Sequence, residues 1–371
     1  MRIGWPIWII AMACSSPDAA LVLLDPSDLP EVTLPQDPLI TWETGEPIAS
    51  ADEWETLRKP ELQSLFGHYI YGDWPSGAAS NIAEVDRGNL RIGTQQQYSA
   101  SHARGELLIA LFVPPTPGPH PVLLGLNKCG NSSVFDDGSL FNTGGYIDST
   151  CTEIPGNRAS FWSLEQAMDA GWAVATVHQS DTAADDPDAI HPAPVVVSWA
   201  WGLSLAVDVL QTLDDVDPSR IAVFGHSERG KAALIAGAHD PRIAAVWAHQ
   251  SGTLGAALTR TFDGESLGAL TTSFPHGFTG RLSDFVDNEL RLPVDQHLLL
   301  AQIAPRPLLV TDGVDDDWAN PAGAQQAVEL AGPVFALLEG PAPTWQNRPG
   351  GNDVNDDDWE TALSFLQEQL P

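Results

Sequence analysis

The stretch Gly225–Leu234 reads GHSERGKAAL and follows the apolar run RIAVF at 220–224. A serine between small residues, where a buried strand hands over to a helix, has its hydroxyl lifted above the sheet. The next backbone N–H is then aimed at a reacting carbonyl. Ser227 is therefore the candidate nucleophile of an acyl-transfer reaction, with Gly225 and Gly230 permitting the turn, although the usual G-x-S-x-G is stretched by one residue. A plain strand-to-helix turn is the competing reading. A serine nucleophile also needs a base and an acid that orients it.

Those partners must come from the rest of the chain, so the surrounding elements matter. Strand-like runs are Gly105–Pro114, Pro121–Leu126, Ala173–His178, Ile221–Phe224, Ile243–Ala248, Pro307–Thr311 and Val334–Leu338. Helical patterns cover Leu164–Ala170, Val197–Leu213, Lys231–Ala238, Ala322–Leu330 and Asp358–Leu370. This alternation predicts a mostly parallel sheet covered by helices on both faces, the three-layer plan of the α/β-hydrolases. In that plan the chain order is Ser, acid, His. The acid slot is Asp312–Trp318, DGVDDDW, and the histidine slot is Gly340–Val354, GPAPTWQNRPGGNDV, which holds no histidine. His297 is the last histidine in the chain.

With 371 residues and 43% hydrophobic content the chain can bury a large core. Its net charge of −32, from 17 basic and 49 acidic residues, opposes binding to a nucleic-acid backbone. Only three lysines occur, Lys59, Lys128 and Lys231, and one lies in the serine motif. No H-x-x-x-H pair, His/Cys cluster or Walker-type glycine loop is present, so neither a metal nor another cofactor is expected.

The N-terminus, MRIGWPIWIIAMACSSPD, has an Arg, a short apolar core and Ala11-Met12-Ala13 before Cys14. This pattern predicts an export signal over 1–13, with Cys14 either beside an ordinary cleavage site or carrying a lipid anchor. The protein is then periplasmic, an outer-membrane lipoprotein, or secreted. Residues 14–40 read as a linker and 41–371 as one hydrolase domain, expected to be a monomer. An oxidising compartment would let Cys129 and Cys151 bridge.

Taken together the motifs resemble the glucuronoyl esterases, in particular their bacterial branch. The markers are SWAWG at 198–202, the serine stretch, QSGTLGAALTR at 250–260, FPH at 274–276, LPVDQHLLLAQIAPRPLLV at 292–310, DDDWANPAG at 315–323 and RPGGNDV at 348–354. They run from about residue 50 to the C-terminus. The resemblance implies an α/β-hydrolase that cleaves 4-O-methyl-glucuronate esters between xylan and lignin alcohols, so glucuronoxylan or a lignin–carbohydrate ester is the expected partner. It further implies Lys231 on sugar hydroxyls and Glu265 and Trp318 on the glucuronate ring. The competing readings are a surface charge, a solvated loop acid and a packing aromatic. The family's acid sits after either of two strands. Gln250 occupies the first position and cannot serve, which leaves Asp316, with Asp315 and Asp317 as alternates.

The chain departs from that pattern at two places. Asn352 stands where the family has its catalytic histidine, and an amide cannot accept the serine proton near neutral pH. The arginine that follows the nucleophile in the family is Glu228 here, with Arg229 one position later. The oxyanion would rely on the Glu228 backbone N–H and on Arg229, and a carboxylate about 4 Å from it would oppose it by roughly 4 kcal/mol at an effective dielectric near 20. His276 and His249 are the candidates for a relocated base, while His226 reads as structural. The expected function is a serine esterase impaired by the loss of its base. The alternatives are a non-catalytic uronate-polysaccharide binder and an esterase of different specificity.

Overall fold

Why the chain needs a wide sheet is visible in its central strands, whose successive residues are mostly apolar on both sides. The computed structural model describes residues 21–136, 140, 147, 149–152 and 154–371. Its strands are β1 Ser80–Leu90, β2 Gly93–His102, β3 Gly105–Val113, β4 His120–Asn127, β5 Ala173–His178, β6 Val216–His226, β7 Ala245–His249, β8 Leu308–Gly313 and β9 Thr344–Arg348. They form one sheet in the order β1-β2-β3-β5-β4-β6-β7-β8-β9. The first three strands meander antiparallel, and β5 to β9 run parallel with β4.

Alternate residues of the central strands feed two separate cores. Val122, Leu124, Ile221, Val223, Val246 and Val310 face one side, together with helices α2 Val195–Leu210, α3 Glu228–His239, α4 Gln296–Ala301 and α5 Pro321–Leu337. Leu123, Ala222, Phe224, Trp247 and Leu309 face the other, against α1 Leu164–Asp169 and α6 Asp356–Gln369. The α/β-hydrolase plan expected from the sequence is thus the observed one.

Several local expectations are corrected. Val334–Leu338 is not a strand: Val334 and Phe335 continue α5, whose buried residues Ala324, Ala327, Val328, Ala331 and Val334 fall at helical spacing. A five-residue apolar run carries the same signal in either conformation, and here the i+3, i+4 stripe wins. The strand beside β8 is Thr344–Arg348, a polar edge with no core pattern. The meander of β1 and β2 escaped the sequence reading because β1 is largely exposed. Of the expected linker, residues 21–40 lie on the domain: Leu29 is buried, Tyr69 donates to the Leu24 carbonyl at 2.7 Å, and Val32 N–H to the Leu290 carbonyl at 2.8 Å. The expected export signal and Cys14 fall outside the described residues. Cys129 and Cys151 are joined in a disulfide.

Burial also sets a pH dependence. Burial pushes the imidazoles of His178 and His239 down to about 4, and that of His226 down to about 3 with His249 and Arg229 adding to the effect. Below about pH 6.5 the unfolded chain therefore binds protons that the folded chain refuses, so each contribution is present above pH 6.5 and lost as pH falls. For the fully buried His178 the loss is on the order of 2 kcal/mol at pH 5. Asp312 acts oppositely: burial pushes its carboxyl up to about 7, so its contribution is lost as pH rises through 7. Three imidazoles outweigh one carboxyl. Thermal unfolding should show a lower Tm at pH 5 than at pH 7, and Asp312→Asn should steepen the fall. An unchanged Tm would remove the buried histidines from the stability balance.

Candidate active site

The turn from β6 to α3 is dictated by steric room. A Cβ on Gly225 would lie 2.0 Å from the Arg229 carbonyl oxygen, and one on Gly230 would lie 2.8 Å from the Ser251 Cβ. Only glycine fits either position. Between them Ser227 adopts φ 57° and ψ −128°, a strained conformation for a residue with a side chain. Its N–H donates to the His249 carbonyl at 3.0 Å, tying the turn to the end of β7.

The Ser227 hydroxyl donates to the Glu228 carboxylate at 2.8 Å. That carboxylate also accepts from the Arg229 guanidinium at 3.2 Å. Burial would raise the Glu228 pKa, but Lys231, Arg229 and these hydrogen bonds together hold it down to about 2, so it is ionised at neutral pH. Arg229 donates further to the Gln179 side chain at 2.7 Å and lies 5.9 Å from the Trp199 ring centre. Gln179 follows directly on β5, a position that nothing in its residue type announces.

At the ends of β8 and β9 the structure selects among the three aspartates. Asp316 is buried and accepts from the Asn352 amide at 2.8 Å. Asp315 instead accepts from the Gly350 N–H at the exposed rim, and Asp317 is exposed. Position 352 is thus held against the expected acid, with an amide in place of an imidazole. Gln250 clamps the same loop from the other side: it donates to the Gly351 carbonyl at 2.7 Å and accepts from the Asp353 N–H at 3.1 Å.

The proposed replacement histidines are engaged elsewhere. His249 has both ring nitrogens in use, one with Thr311 at 2.8 Å and one with the Asp353 carbonyl at 2.7 Å. His276 is paired with Asp185 at 3.0 Å and stacked against His191. His226 meets the Gln250 side chain at 3.2 Å, in keeping with a structural role. The acceptor on Ser227 is a carboxylate.

The three expected sugar contacts form their own group. Lys231 and Glu265 are buried and 4.0 Å apart, so neither is a solvated surface charge. Burial pushes the Glu265 carboxyl up while Lys231 pulls it down, and the net direction is up. Trp318 is 57% exposed, which rules out a packing role, and its carbonyl accepts the Glu265 N–H at 3.0 Å. The neighbouring cleft of about 400 Å³ is lined by other residues, among them Lys128, Arg158, Phe161, Arg229 and Asn352. It therefore joins the serine turn to position 352 but leaves Lys231, Glu265 and Trp318 outside its wall. Lys128 and Arg158 sit in loops without periodicity, and the sequence offered no pattern to find them.

Comparison with known proteins agrees with this architecture. The sequence model for fungal glucuronyl esterases matches residues 188–339. A carbohydrate esterase named MZ0003, from an unknown prokaryotic organism, is 32% identical over 93% of this chain and 91% of its own length. A glucuronoyl esterase structure from Solibacter usitatus superposes with a TM-score of 0.83 at 29% identity, covering 93% of this chain and all of that one. A structure described as a promiscuous CE15 esterase from a marine bacterial metagenome gives 0.84 at 30% identity, covering 93% of this chain and 99% of that one. With its motifs, its sheet order and a relative of this identity over nearly its whole length, the chain belongs to the glucuronoyl esterase family of carboxylic-ester hydrolases.

Proposed function

We propose that this chain is a serine esterase for 4-O-methyl-glucuronate esters of xylan, working slowly because Ser227 has lost its imidazole base. The observation that carries this reading is the Asn352–Asp316 hydrogen bond of 2.8 Å, in which the acid and the loop keep their places around a side chain that cannot take a proton. Ser227 is the nucleophile, Asp316 the orienting acid, and Lys231, Glu265 and Trp318 hold the sugar. Loss of the triad histidine leaves turnover to binding and oxyanion contacts, with a penalty of up to about 10⁶ in one serine protease.

A second reading is favoured by the buried Lys231–Glu265 pair: a charge pair retained at the expected sugar site while the base is gone suits a non-catalytic uronate binder. Hydrolysis of a benzyl glucuronate ester by the natural protein and by Ser227→Ala separates the two. Slow hydrolysis that disappears in Ser227→Ala supports the esterase. Equal rates in both leave only binding, which calorimetry with glucuronate measures. In either case Trp318→Ala should weaken glucuronate binding about fivefold, since covering about 50 Å² of ring face contributes about 1 kcal/mol. Unchanged affinity would take Trp318 out of the site.

A further inference from the structure

We propose that Glu228 is a built-in oxyanion mimic, its carboxylate filling the place where the carbonyl oxygen of a bound ester would collect negative charge. The proposal rests on the reading of Ser227 as the nucleophile. In an acyl transfer the serine oxygen bonds to the carbonyl carbon, and the carbonyl oxygen becomes an anion. Donors fixed in advance around that oxygen stabilise it, the N–H of the residue after the nucleophile foremost among them.

In this chain the side-chain donors around the nucleophile converge on one carboxylate oxygen. The N–H after the nucleophile is that of Glu228, the residue that also carries the carboxylate. The Arg229 guanidinium, the cation expected to assist, donates to Glu228 at 3.2 Å. The nucleophile itself donates to the same oxygen at 2.8 Å. Arg229 is held in this pose from behind by Gln179, itself bonded to Asp185 at 3.4 Å, and Asp185 to His276 at 3.0 Å. The carboxylate is ionised at neutral pH, as shown above, so it resembles the charged intermediate more closely than a neutral ester does. A substrate carbonyl must displace it before Ser227 can attack. Asn352 removes the base and Glu228 fills the hole, two independent obstacles to the same attack.

The test separates them. With Asn352→His supplying a base, Glu228→Ala is added, and two reactions are followed. One is sulfonylation of Ser227 by phenylmethanesulfonyl fluoride, read by mass. The other is hydrolysis of the benzyl glucuronate ester. Emptying the hole should raise the labelling rate at least about tenfold over Asn352→His alone, since single oxyanion donors are typically worth more than that. Glu228→Gln keeps the shape, removes the charge and should shift the rate in the same direction, which covers the case in which the alanine variant folds poorly. Faster labelling without ester hydrolysis would keep the mimic and overturn the glucuronate reading. Labelling that is unchanged or slower in both variants would overturn the mimic and make Glu228 a bystander or a proton acceptor.

Discussion

Asn352→His should raise Ser227-dependent hydrolysis of a glucuronate ester by at least about 100-fold, the lower end of what a positioned general base contributes. The variant inherits a prepared place. Asp316 already accepts a hydrogen bond from the side chain at 352, and the Gln250 amide pins the backbone on both sides of that residue. An imidazole held by Asp316 has its tautomer fixed. It can then take the serine proton and return it to the leaving alcohol. The side chain at 352 lines the same cleft as Arg229, so the larger ring has space on that side. The gain should vanish when Ser227→Ala is added. A rise below tenfold that Glu228→Ala then restores would locate the remaining obstacle in the filled oxyanion site. If neither change helps while His276→Ala abolishes the natural activity, Asn352 is not the position of the lost base.

Trp247→Ala should cost about 3–5 kcal/mol of folding stability, the range for truncating a buried Trp or Phe. The indole is fully buried and stacks on Phe224 with ring centres 4.5 Å apart. Trp359 of α6 meets it edge-on at 5.5 Å, and the Trp247 N–H donates to the Thr311 hydroxyl at 2.7 Å. One side chain thus fastens β6, which carries the serine turn, to β7, β8 and the last helix. Spread over a chain of this length, such a loss lowers Tm by only about 5 °C, because the unfolding entropy grows with size. Denaturant titration reads the free energy directly. A loss under about 1 kcal/mol would mean that the aromatic block repacks around the void and does not support the turn.

Much of the site is written locally. A serine between two glycines after RIAVF fixes its own turn, because a Cβ at Gly225 would strike the backbone four residues on. The parallel core is equally legible, since strand segments buried on both faces are apolar at every position, as in Ile221–Phe224. The absence of a base before Val354 is a matter of counting histidines. Edge elements were not legible for the opposite reason: Thr344–Arg348 and Ser80–Leu90 bury too little to impose a pattern, and VFALL at 334–338 suits helix and strand alike.

What the chain could not disclose are choices settled by contacts far apart in sequence. Asp315, Asp316 and Asp317 are chemically identical, and the loop from β9 to α6 decides among them by bringing Asn352 to Asp316 and Gly350 to Asp315. Lys231 and Glu265 are separated by a strand and a long loop, and the need to compensate a buried ammonium draws them together. Whether Glu228 faced water or the serine was likewise open, because a carboxylate goes where cations and N–H donors converge. Composition and order determined the fold and the lack of a histidine before Val354; contacts between distant loops determined that Asn352 meets Asp316 and that Gln179 holds Arg229 against Glu228, because buried polar groups must find partners wherever the chain supplies them.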